Sequence, residues 1–225
     1  MSQNKPVALI IGMGPGLSAA LAERFAAGGC AVVGFARRPE NSADLVRALA
    51  AKGLHLEMRA ADAGDAAGLA QAIAQVEAEI GPVEVLIFNA YRATYAVPSS
   101  VPVEELVADF RVNVAGALAA VQAVLPGMRA RKRGTILLTG GGLALDPTGW
   151  LQAASLAVGK AGIRNLAASL HKELAGEGIR VATVTIKGQI AAGTAFAPEL
   201  IAEQYWAQHA AQQAGPAEVV YGGRP

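Results

Sequence analysis

The amino-acid sequence predicts a single α/β domain built on a doubly wound parallel sheet with helices on both faces. Three observations carry that expectation. Short runs rich in Val, Ile and Leu alternate with longer segments whose apolar residues recur at helical spacing, as in strands buried on both faces and covered by helices. The 225 residues, 53% of them hydrophobic, suffice for a sizeable core and suit one large domain better than two small ones. A glycine cluster, Gly12-Met13-Gly14-Pro15-Gly16, stands where the first strand gives way to the first helix.

The elements follow in order. VALII at 7–11 is a strand, and Leu17, Ala20, Leu21 and Phe25, with Glu23 and Arg24 between them, make 16–27 a helix. A strand at 31–36, a helix at 42–52, a strand at 54–60 and a helix at 65–80 come next, the last with Asp65 as its N-cap. After a strand at 83–89, residues 102–129 read as one long helix or two short ones. The chain continues with a strand at 135–139, a helix at 152–175, a strand at 180–186, a helix at 198–213 and a short strand at 218–221. Crossovers of this type are right-handed, and no linker, low-complexity tract or solenoid repeat interrupts them.

Charge and cysteine content narrow the class of partner. With 19 Lys+Arg against 18 Asp+Glu, no global field draws the molecule to nucleic acid or an anionic membrane, so a small-molecule substrate is expected. Cys30 has no second cysteine to pair with and falls in an apolar segment, which suits a packing role in a reduced compartment. The first thirty residues imitate a secretion signal, but Gly-Pro-Gly breaks the apolar run and a charged helical pattern follows. The longest membrane-span candidate, around 112–128, is interrupted by Asn113, Gln122 and Pro126. A soluble, cytoplasmic protein without a metal site is expected.

In open sheets of this kind ligands sit beyond the carboxyl ends of the strands, where strand order reverses. Gly12, Gly14 and Gly16 occupy such an end, where bare backbone lets a pyrophosphate approach and the helix N-terminus faces it; a plain turn is the alternative. The third, close-packing glycine of the dinucleotide fingerprint is replaced by Ser18. At the end of the second strand an acidic residue would take the ribose hydroxyls of NAD. Arg37 and Arg38 stand there instead, suited to a 2′-phosphate, with a solvated basic turn as the other reading. NADP(H) is the cofactor this predicts, with Arg37 the nearer contact. Asp62 is placed to accept from the adenine amino group, and Asn89 to tie strand ends together beside the small Ala90.

By these motifs the chain resembles the short-chain dehydrogenase/reductase family, a Rossmann-fold family, over essentially its whole length. GMGPGLS is similar to the family's glycine motif, FNAY to its Asn-Asn-Ala-Gly segment, and RVNVAG to the segment holding its helix-kinking Asn. GTILLTGG resembles its fifth strand, LAVGKAGIRNLAASLHKELAGEGIRVATV its Tyr-x-x-x-Lys helix and sixth strand, and KGQI its Pro-Gly-x-Ile loop. The resemblance implies that Asn113 holds a water in the proton relay and that Lys160 binds the nicotinamide ribose. It adds Leu17, Ala63, Gly188 and Ile190 to the cofactor-binding set. It also implies that the catalytic Tyr would fall at Leu156 and the carbonyl-polarising Ser within Gly140-Gly141-Gly142, so both proton-handling groups are missing from their usual places.

Thr139, on the strand face of Gly141, and Tyr91 and Tyr95, after the fourth strand, are candidate substitutes; the tyrosines read equally as packing or lid residues. Tyr205 and His209, four apart beside Trp206, are either a substrate wall or an aromatic stripe in the core. His171 reads as solvated and His55 has no partner in view. Two functions follow. One is an NADP(H)-dependent oxidoreductase with unusual proton delivery, an enoyl- or dienoyl-thioester reductase being a subtype. The other is a degenerate NADP(H)-binding sensor or structural module. The family's habit of pairing helices like 102–129 and 152–175 implies a homodimer or homotetramer.

Overall fold

The structure, a computed structural model, describes residues 5–211 and 215–223. Seven parallel strands form one sheet in the order β3-β2-β1-β4-β5-β6-β7: β1 (Val7–Ile11), β2 (Ala31–Ala36), β3 (Leu56–Ala60), β4 (Val83–Phe88), β5 (Gly134–Gly141), β6 (Ile179–Ile186) and β7 (Glu218–Tyr221). Strand order reverses between β1 and β4, the point at which the sequence expects a ligand crevice.

Alternate residues along each strand serve opposite faces. Leu9, Ile11, Leu86 and Phe88 meet α3 (Ala66–Glu79), α5 (Gly116–Arg131) and α6 (Ala154–Leu174), whereas Ala8, Ile10, Val85 and Ile87 meet α1 (Leu17–Ala27), α2 (Ala43–Ala51) and α7 (Pro198–Ala210). The predicted 65–80 helix starts behind Asp65, whose carboxylate accepts from the Gly68 amide at 3.1 Å. The last predicted helix ends at Ala210, and residues 212 and 213 lie outside the described residues.

Residues 102–129 resolve into one continuous run. α4 (Val103–Phe110) passes through a wide π turn at Arg111–Ala115 into α5, and Pro126 is carried inside the helix. Of the two expectations for this segment, the single long helix is the one found. By length and composition the run from Val103 to Arg131 is apolar enough to cross a membrane. Its α5 half is instead a core helix, with Ala117, Ala120, Val121, Val124 and Met128 packed on the sheet.

The helices on that face approach closely at glycines. A Cβ at Gly159 of α6 would come within 2.6 Å of the Asn113 side chain, and one at Gly162 within 2.7 Å of Val114. At the start of α5 a Cβ on Gly116 would fall 2.0 Å from the Ala63 carbonyl oxygen. That clash is with backbone and no side-chain rotation relieves it. Gly116→Ala is expected to lower unfolding stability by about 1–3 kcal/mol in urea titrations. Gly176→Ala, which meets nothing within 4 Å, should stay within about 0.5 kcal/mol of wild type.

Of the two readings of the aromatic stripe of α7, the structure takes the core stripe. Tyr205 is fully buried and donates its hydroxyl to Thr139 Oγ1 at 2.8 Å. His209 Nδ1 lies 3.1 Å from Thr135 Oγ1, near the amino end of β5 and thus at the opposite edge from the crevice. Trp206 packs edge-on to Phe25, with the Arg24 guanidinium 4.2 Å from its ring centre. The stripe is core, not a substrate wall. His171 is also not simply solvated, since its Nδ1 lies 2.9 Å from the Val181 carbonyl oxygen. Cys30 is buried, and that burial, with Glu84 nearby, pushes its thiol up to about 11, where it packs and does not react.

Candidate cofactor and substrate site

The crevice at the reversal is a cleft of about 330 Å³. Gly12, Gly14, Arg37, Asp62, Asn89 and Tyr91 line it, each at or just past the carboxyl end of a strand. Local chemistry explains the placing. β1 ends at Ile11, and Gly12 turns at φ 90°, with its amide and that of Met13 both donating to the Phe35 carbonyl of β2. A Cβ at Gly12 would sit 2.4 Å from the Ala90 amide nitrogen, so the exits of β1 and β4 can pass only with glycine there. The Asn89 amide nitrogen of the backbone donates to the Ile11 carbonyl at 2.8 Å, and its side-chain amide reaches the Gly12 carbonyl at 3.5 Å. Asn89 thus ties the two strand ends together.

Gly14 and Gly16 face open space, and Gly16 turns at φ 91° into the first turn of α1, whose amides have no intrahelical acceptors. Ser18 completes this turn in a way the fingerprint does not announce. Its hydroxyl accepts from the Gly14 amide at 2.9 Å and donates to the Gly14 carbonyl at 3.0 Å, holding the loop from inside the helix. The signal available in the sequence was only a serine four residues after a glycine at a helix start. Leu17 is buried beneath the turn. Arg37 and Arg38 are both exposed at the tip of β2, but only Arg37 lines the cleft. The Asp62 carboxylate accepts from the Gly64 amide at 2.8 Å, and Ala63 also lines the cleft.

Beyond β4 the segment 89–96 is pinned by a polar knot that sequence reading missed. Asn113, on the π turn, accepts from the Arg92 amide at 2.7 Å and donates to the Arg92 carbonyl at 2.8 Å. The Arg92 guanidinium pairs with Glu105 at 2.6 Å and with the fully buried Asp109. Asp109 also accepts from the Thr94 amide at 2.7 Å, while Ser155 accepts from that amide at 3.0 Å and donates to the Thr94 carbonyl at 3.1 Å. Burial pushes the Asp109 carboxyl up, but hydrogen bonds from Ser155, Thr94 and Arg92 outweigh it and hold the group below the usual carboxylate range. A carboxylate among the apolar residues of α4 was the trace of this knot in the sequence.

Lys160 lies on α6, across β5 from the cleft. Its Nζ donates to the Thr139 carbonyl at 2.8 Å, and its aliphatic chain runs over Gly141, 3.4 Å from where a Cβ would be. Burial pushes its ammonium down to about 8. The Thr139 hydroxyl points the other way, to Tyr205 on the α1/α7 face, and this removes it from the expected set of proton donors. Leu156 stands one turn before Lys160. Gly188 packs under the Phe196 ring, Ile190 is partly exposed, and both follow β6, away from the lined cleft. Tyr95 is exposed and stacks on Trp150 with ring centres 5.4 Å apart.

Fold and crevice define a doubly wound α/β protein with its ligand cleft at the topological reversal. The model of the short chain dehydrogenase family matches residues 6–199, and the chain belongs to that family of oxidoreductases. Over 141 residues it is 31% identical to 2,3-dihydro-2,3-dihydroxybenzoate dehydrogenase of Bacillus subtilis, covering 63% of this chain and 54% of that one. Over 185 residues it is 31% identical to the granaticin polyketide synthase putative ketoacyl reductase 1 of Streptomyces violaceoruber, covering 80% and 66%. The chain thus spans between about half and two thirds of these relatives' length. A metagenomic short-chain oxidoreductase solved in complex with NADP superposes with a TM-score of 0.87 at 27% identity, covering 98% of both chains.

The buried Lys160 sets a pH dependence. Folded, it releases its proton near pH 8; unfolded, it keeps it to about 10.4. Between those values the unfolded chain binds more protons, so this group makes stability rise with pH, and its desolvation cost is fully present below pH 8. Lys160→Met should therefore stabilise the ligand-free protein by about 1–3 kcal/mol at pH 7 and lose most of that advantage by about pH 10. Urea unfolding of both proteins at the two pH values measures it.

Proposed function

We propose that this chain is an NADP(H)-dependent oxidoreductase acting on a small carbonyl or activated C=C substrate, with a proton route that does not use the residue four before Lys160. The observation that carries the reading is the cleft itself: an open glycine turn at the N-terminus of α1, with Arg37 on its rim at the tip of β2. That donor set fits a dinucleotide phosphate. The first-turn amides and the bare backbone of Gly14 and Gly16 would hold the pyrophosphate, Arg37 the 2′-phosphate with Arg38 adding charge, and Asp62 the adenine amino group. Leu17, Ala63, Ala90, Gly188 and Ile190 would supply surface, and Lys160 the contact to the nicotinamide ribose. When bound, the cofactor supplies or takes the hydride.

The chain's own part in the chemistry is to place substrate and move a proton. Leu156 has nothing to donate, and Gly140–Gly142 carry no hydroxyl. Asn113 is spent on holding Arg92, which keeps the segment bearing Tyr91 in place. Tyr91 lines the cleft and is 61% exposed, so of the phenols weighed here it is the one at the cleft wall. A general acid at that position is worth ~10²–10⁴-fold in rate. Reduction of an enoyl or dienoyl thioester is the subtype suggested by analogy with reductases of the family that depart from the Tyr pattern while retaining the Lys.

The second reading, an NADP(H)-binding sensor or structural module without turnover, is favoured by the same empty positions and by Lys160 having a backbone carbonyl as its partner. In either case a homodimer or homotetramer is the expected assembly, supported by exposed Val103, Val107, Phe110 and Leu118 on α4 and α5 and Val158 on α6.

Two measurements test the reading. NADPH should bind at least about tenfold more tightly than NADH, and Arg37→Ala should abolish that preference, the loss of a charged hydrogen bond costing about 1.5–3 kcal/mol. Equal affinities in wild type would overturn the phosphate assignment. NADPH absorbance with enones, quinones, aldehydes and acyl thioesters should show consumption, slowed at least about a hundredfold by Tyr91→Phe. Tight NADPH binding with no oxidation across the panel would leave the sensor reading standing, and unchanged turnover in Tyr91→Phe would remove Tyr91 from the route.

A further inference from the structure

The loops that leave the carboxyl ends of β4, β5 and β6 carry six large apolar side chains open to solvent: Tyr91, Tyr95, Leu145, Trp150, Leu151 and Ile190. They are half of the exposed large hydrophobic residues among the described ones, gathered at one end of the sheet. The remainder lie on helix surfaces and the edge strand β7. Tyr95 and Trp150 stack at 5.4 Å with their planes 32° apart, yet remain 58% and 50% exposed. Such a pair buries one side of each ring and keeps the rest of its aromatic surface for something else.

The surface is held rigid. The Thr94 amide and carbonyl are both bonded to the Ser155 hydroxyl, at 3.0 and 3.1 Å, and Ala96 bridges Ala153 through backbone. These contacts zip the loop carrying Tyr95 to the start of α6, immediately beside Leu156 and one turn from Lys160. An apolar group fixed against such a wall loses little ordering entropy on binding.

The same loops are almost without net charge. Segments 89–102, 142–153 and 187–197 contain only Arg92, Asp146 and Lys187 as charged residues. Arg92 is neutralised by Glu105 and Asp109. Asp146 accepts from the Thr148 hydroxyl and amide, which hold its carboxyl below the usual range, and Lys187 adds its charge from nearby. An anionic substrate has no unpaired cation in these loops beyond Lys187 to meet.

We infer that Tyr95 and Trp150 form an aromatic wall that takes the planar face of the substrate, and that the substrate is an uncharged aromatic or conjugated carbonyl compound. The inference deepens the oxidoreductase reading and rests on it for the position of the reacting group. The wall itself is tested by binding alone.

Calorimetric titration of the NADP⁺-saturated protein and of the free protein compares three probes. These are 4-phenylbut-3-en-2-one, its cyclohexyl counterpart, and the phenyl enone carrying a para-carboxylate. The phenyl enone should bind at least about fivefold more tightly than the other two. Trp150→Ala and Tyr95→Leu should each remove that preference while leaving NADP⁺ affinity and melting temperature as in wild type. Equal affinity for phenyl and cyclohexyl probes, no binding of any probe, or a preference for the carboxylate would overturn the wall. Failure of NADP⁺ to bind would count against the cofactor reading separately, because the free-protein titrations still decide the wall.

Discussion

The constraint on which the rest of this structure depends is the parting of β1 and β4. The two strands are neighbours through Ile11 and Phe88, and then their chains leave towards opposite faces of the sheet. They can separate only where side chains vanish: Gly12 carries no Cβ, and the Ala90 backbone occupies the room one would need. Asn89 stops the parting from running back into the sheet by bonding both Ile11 and Gly12. The cleft is the space this leaves, and its walls inherit the rigidity of a fully paired sheet.

A second organising contact lies on the far wall. Asp109 is a buried carboxylate, and removing it from water is costly unless every lone pair is answered. Here the answering groups come from two elements: Arg92 and Thr94 from the β4 exit, and Ser155 from α6. The demand of one charge for partners therefore fixes the loop between them. Asn113 reaches the same loop because the π turn at Arg111–Ala115 and the absent side chain of Gly159 let α6 and the kink approach. The kink thus serves the loop's geometry through backbone bonds to Arg92.

Much of this was legible in the sequence. Strand and helix order follow from apolar periodicity, and the glycine turn, Arg37, Asp62 and Asn89 gather in one cleft because strand ends in such a sheet point the same way. What escaped was long-range pairing. Nothing in the local sequence of Arg92 says that Asp109 and Glu105 will meet it, since the pairing requires α4 to fold back over the β4 exit. The spacing of Tyr205 and His209 left a substrate wall and a core stripe both open for the same reason: it shows that they share a helix face, not which end of the sheet that face meets. Whether 102–129 is one helix or two was left open by its periodicity, and the π turn that joins α4 to α5 decides it.

The run of glycines at 140–142 meets the side chain of Lys160 at Gly141. A Cβ at 141 would lie in ordinary contact, 3.4 Å from the lysine's methylene carbons, which run along the end of β5. The ammonium then reaches the Thr139 carbonyl, an acceptor that is neutral and brings no compensating charge. A buried ammonium with only a dipole for company is poorly stabilised, which is why it loses its proton more than two units early. Leu156, one turn before Lys160, and the bare glycines at 140–142 offer the ammonium no charged partner, so the Thr139 carbonyl alone offsets its desolvation.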